Sequence, residues 1–135
     1  MIKASLVVQS RELTLADISK AMGRLPDDGY DRGSLAPVRR FPRQWTSWSA
    51  ELAWSHDVHG GTEGLATAIE GLGQQLAERA AMLTLRGCDV VISVHQELTD
   101  TPESLGMHLT SGAIRWLATA GAALDIDQYL DLGSD

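Results

Sequence analysis

The stretch His56-Asp57-Val58-His59 puts two imidazoles three residues apart, which on a helix would face one metal ion. Zinc takes three or four protein ligands. Glu51, His95 or His108 would have to supply the third, and no spacing brings them to the pair. The histidines also stand before Gly60-Gly61, where a solvated loop is expected. They are weak metal candidates, and no metal or cofactor is expected. A second group is Arg39, Arg40 and Arg43 in RRFPR, with Trp45 and Trp48 close behind and no acid between Asp31 and Glu51. Guanidinium forks suit phosphates and carboxylates, and an exposed Trp beside Arg has the composition of an interface anchor. Against a ligand reading, there is no phosphate-cradling glycine loop, and arginines on an edge strand also discourage edge pairing. A third group is Asp125, Asp127 and Tyr129, which alternate with Leu124 and Ile126. Two carboxylates on one strand face can bind a cation or exchange protons. Their spacing is not that of a calcium loop, so a solvated sheet face accounts for them as well. Cys88 follows a helix end, where the dipole disfavours a thiolate. The serines sit in no nucleophile elbow. No catalytic constellation emerges, and the balance leans away from an enzyme.

Charge narrows the partners. Residues 97–135 hold seven acids against Arg115 alone, while the first 96 residues carry eleven acids and ten bases. An acidic end repels nucleic acid and attracts basic proteins at long range. No apolar run is long enough to span a bilayer, and the N-terminus MIKASLVVQS lacks a signal peptide's apolar block. A single cysteine excludes an internal disulfide. These features describe a cytoplasmic protein of one domain, residues 1–135, with a frayed tail at 130–135.

The elements that would position these groups follow from periodicity. Ile2, Ala4, Leu6 and Val8 alternate as a strand with one buried face. Thr14 and Asp17 form a capping box for a short helix ending at Gly23. Residues 24–34 read as a loop, and Leu35–Arg40 as a short edge strand that tolerates Pro37. Trp48, Ala50, Leu52 and Trp54 share a face of the next strand, over 45–54. Leu65, Ile69, Leu72, Leu76, Ala80 and Leu83 then form one apolar stripe, predicting a single helix capped by Thr62 and closed by Arg86-Gly87. Gly64, Gly71 and Gly73 are its soft points. Asp89–Leu98 is the clearest strand. A short strand is expected near 105–109, then a helix capped by Thr110 or Ser111 and ended by Gly121, and a last strand through Leu124 and Ile126. The fold class is therefore α+β. The expected core is ferredoxin-like, β-α-β-β-α-β, with a C-terminal helix-strand extension and helices on one face of a mainly antiparallel sheet.

Four segments in this order resemble domain of unknown function 4279, a family of small bacterial proteins: the first strand with TLADISKAMG, Gly33 with Trp48-Ser49-Ala50-Glu51-Leu52, the long helix leading into VVISVHQEL, and LTSGAIRWLATAGAALDIDQY. The resemblance covers nearly the whole chain. It implies the fold and no activity.

Two function classes remain. The first is a non-enzymatic protein-interaction module, an inhibitor or immunity-type partner of a basic protein, resting on the charge asymmetry. The alternative is a small-ligand or anion-binding domain using Arg39, Arg40, Arg43 and Trp45. Homodimerisation through an open sheet edge is compatible with either.

Overall fold

The computed structural model describes residues 2–35, 41–52, 61–98 and 107–130. Among these residues, five strands and four helices follow one another as β1 (Ile2–Ser10), α1 (Leu15–Met22), β2 (Asp28–Tyr30), β3 (Thr46–Glu51), α2 (Gly61–Gly71), α3 (Gln74–Leu85), β4 (Asp89–Leu98), α4 (Ser111–Ala120) and β5 (Ala123–Leu130). They form an α+β unit around one mixed sheet of order β2-β3-β1-β4-β5. β1 pairs antiparallel with both β3 and β4, β2 pairs antiparallel with β3, and β5 runs parallel to β4.

Register explains which face is covered. Leu6 lies opposite Ala50 and Ile92, and Val8 opposite Trp48 and Val90, so one face carries a continuous apolar sheet. All six are buried. The helices supply Ile18, Met22, Leu65, Ile69, Ala77, Leu83 and Trp116 to the same cluster. The opposite face carries Lys3, Ser5, Val7, Gln9, Ser93 and His95, half-buried or exposed, as expected of a two-layer fold with one open side.

Helix ends are set by local chemistry. The Thr14 hydroxyl accepts from Asp17 N, and Asp17 accepts from Thr14 N, completing the capping box. Hydrogen bonding, first from the Thr14 backbone N–H and then from its hydroxyl, holds the Asp17 carboxyl below the usual aspartate range. Asp31 accepts from Leu15 N at 2.7 Å and ties the start of α1 to the end of β2. Thr110 caps α4, and its hydroxyl donates to Glu70 at 2.7 Å. Gly112 makes room for that carboxylate at the positive end of α4, since a Cβ there would fall 1.9 Å from Glu70 Oε1.

Several sequence expectations are corrected. The stripe from Leu65 to Leu83 spans two helices, because Gly73 adopts φ 85°, which a helix cannot contain. α2 begins at Gly61, so Thr62 lies inside it and does not precede it as a cap. The edge strand is Asp28–Tyr30, within the stretch read as a loop; Leu35 makes only an isolated bridge to Pro42, and 36–40 lie outside the described residues. The strand expected at 105–109 is absent from its described part, 107–109, which is irregular. Trp54 and the tail 131–135 also lie outside the described residues.

β2 depends on Gly29. A Cβ there would stand 2.7 Å from the Ser47 carbonyl oxygen and 2.9 Å from Leu15 Cδ1. Gly29→Ala is therefore expected to cost about 1–3 kcal/mol by forcing β2 off β3 or α1 off the sheet edge. Urea unfolding of the variant checks the value, and hydrogen exchange at Tyr30 checks the location.

Candidate functional site

The C-terminal acids lie together. Parity along β5 sends Asp125, Asp127 and Tyr129 to the open face of the sheet, beside Ser93, His95 and Glu97 of β4 in parallel register. Asp125 and Asp127 are exposed, and Tyr129 is half-exposed. His95 Nδ1 stands 3.6 Å from Asp127 Oδ2, with Lys3 opposite His95 on its other side. The row Lys3-His95-Asp127 runs across β1, β4 and β5 on the exposed face of the sheet. β5 is also an edge strand, and its side toward the helices is incompletely covered: Ile126 is 43% exposed.

The Arg/Trp segment divides. The Arg43 guanidinium lies 3.9 Å over the Tyr30 ring, and its Nη1 reaches the Ser34 hydroxyl at 3.4 Å, so it covers the β2 edge. Trp45 instead lines a pocket with Arg11, Glu12, Arg86 and Asp89. Trp48 is fully buried in the core. Arg39, Arg40, His56 and His59 lie outside the described residues. Among the described residues no group of three or more His, Cys, Asp or Glu side chains could hold a metal ion. Cys88 is buried, and burial pushes its thiol up, which makes it a poor nucleophile. No described helix is long and apolar enough to cross a membrane.

A family described as a domain of unknown function, DUF4279, matches residues 1–131. The chain belongs to the DUF4279 family. No curated protein and no solved structure matches it. The DUF4279 match takes in all five strands, the acidic row on β5 and the pocket beside Trp45. The family description assigns none of these a role.

Residues that sequence reasoning passed over are Arg11, Glu12, Arg86 and Asp89. They come from a strand end, a helix end and a strand start, and they meet because Gln9 pairs with Asp89. Nothing in the linear sequence marks such a meeting.

Proposed function

We propose that this chain is a non-enzymatic interaction module that binds a basic protein through β5 and the adjoining open sheet face, in the manner of an inhibitor or immunity-type partner. The observation that carries this reading is the placement of Asp125 and Asp127, both exposed, on an edge strand beside Glu97 and Tyr129. Edge strands offer unpaired backbone groups to a partner. Carboxylates flanking that edge favour a partner bearing Lys or Arg, and accelerate encounter with it. A second copy of the chain fits less well, because pairing β5 with β5 would bring the same acids together. The order β2-β3-β1-β4 of the first four strands also supports a ferredoxin-like core, with α4 and β5 as the extension that carries the acids.

The test is capture from an extract of the source cells with the wild-type chain and with the double variant Asp125→Asn/Asp127→Asn. A basic protein should be retained at low salt and released at high salt, and the double variant should bind it about tenfold more slowly. Equal retention by both proteins, or no basic partner at low salt, would count against the reading.

A further inference from the structure

The pocket beside Trp45 plays no part in that reading. It lies at the end of the sheet where β1 runs out at Ser10, β3 begins at Thr46 and the turn after α3 enters β4. Its volume is about 450 Å³, within the span of roughly 300–1,000 Å³ usual for small-molecule sites. Three segments distant in sequence build it: Gln9 to Glu12, Trp45, and the run Arg86, Gly87 and Asp89. Trp45 is 37% exposed, which leaves it accessible for stacking from the pocket.

Arg11 and Arg86 are exposed, and among the described residues neither side chain makes a hydrogen bond or an ion pair. The Arg11 backbone is fixed from behind, its carbonyl accepting from Arg32 Nη1. Gly87 adopts φ 88° with open space where a Cβ would stand, which keeps that wall low. Asp17 feels the charge of Arg86, but its carboxylate is engaged by the Thr14 N–H. Glu12 and Asp89 are exposed as well, so the lining holds two guanidiniums, two carboxylates and one indole.

That balance selects a ligand class. A bare anion is attracted by the arginines and opposed by the carboxylates, and a bare cation meets the reverse. A molecule with an anionic group at one end and hydrogen-bond donors on a planar ring satisfies both. Its anion takes the guanidiniums in charge-assisted bonds, its ring lies against the indole, and its N–H groups donate to Glu12 or Asp89. We propose that this pocket binds a small planar anion of that kind, a nucleoside monophosphate or an aromatic amino-carboxylate.

Titration followed by the Trp45 indole N–H resonance tests this with four probes: adenosine monophosphate, 4-aminobenzoate, adenosine and inorganic phosphate. At least one of the first two should bind saturably, and about tenfold more tightly than adenosine or phosphate alone. The better of the two identifies the anion as phosphate or carboxylate. Arg11→Ala and Arg86→Ala remove exposed side chains and should leave the sheet amides unshifted, while each weakens that binding about tenfold. Trp45→Phe, followed by calorimetry, should retain binding that Trp45→Ala loses. Binding no tighter than that of inorganic phosphate, or binding undiminished in both arginine variants, would overturn the proposal.

Discussion

Replacing Trp48 by alanine is expected to cost about 3–5 kcal/mol of folding stability. Trp48 is fully buried in β3, opposite Val8 of β1 and Gly29 of β2, and among the described residues it is the largest side chain with no exposure. Its removal opens a void beside β3, bounded by backbone that cannot collapse without giving up sheet hydrogen bonds. The melting temperature should fall by roughly 10–15 °C, given about 3 °C per kcal/mol for a chain of this size. Trp48→Phe separates two contributions. The indole Nε1 has no hydrogen-bond partner among the described residues. A buried donor without a partner costs about 1–3 kcal/mol, and phenylalanine removes it while keeping most of the ring. Trp48→Phe should therefore cost less than about 2 kcal/mol. Equilibrium urea unfolding of the two variants measures both, and a phenylalanine variant as unstable as the alanine one would reveal a partner for the indole N–H.

The same physics decides what the sequence makes legible. β1 and β4 are central strands with one covered face, so Leu6, Val8, Ile92 and Val94 leave a clean period of two. The capping box at Thr14 and Asp17 and the left-handed Gly23 and Gly121 are local signals, and each stands where its chemistry requires. The break at Gly73 is harder to see. Leu65, Ile69, Ala80 and Leu83 are all buried in one cluster, so the apolar stripe keeps its phase across the interruption. β2 has three residues, too few to show a period, and it is held by groups outside it: Asp27 accepts from Glu51 N, and Asp31 from Leu15 N. The acidic face of β5 is legible because alternation within a strand assigns faces. The pocket at Trp45 is not, because Arg11 and Arg86 lie at element ends and come together only through the register of β1 with β4.

Trp116 provides the second large effect and a contrast with Trp48. It is 5% exposed on α4, and its Nε1 donates to the Gly73 carbonyl at 2.9 Å. That carbonyl also accepts from Ala77 N at 3.3 Å, so one oxygen joins the break between α2 and α3 to α4. Trp116→Ala should cost about 3–5 kcal/mol, from the void between the helices and the lost bond. Trp116→Phe keeps the ring but gives up a hydrogen bond that is made, worth about 1 kcal/mol. Phenylalanine should therefore recover a smaller share of the alanine penalty at Trp116 than at Trp48, where it removes a donor with no partner among the described residues. The two sites should also differ in where protection is lost. Hydrogen exchange in Trp116→Phe should rise first at Gly73, Ala77 and the α4 amides, with β1 and β4 exchanging as in the wild type under conditions where local opening dominates. The amide of Ala77 is the decisive probe, because it shares its acceptor with the indole. If that amide keeps its full protection while global stability drops, the indole contributes bulk to the core but does not hold the break in place.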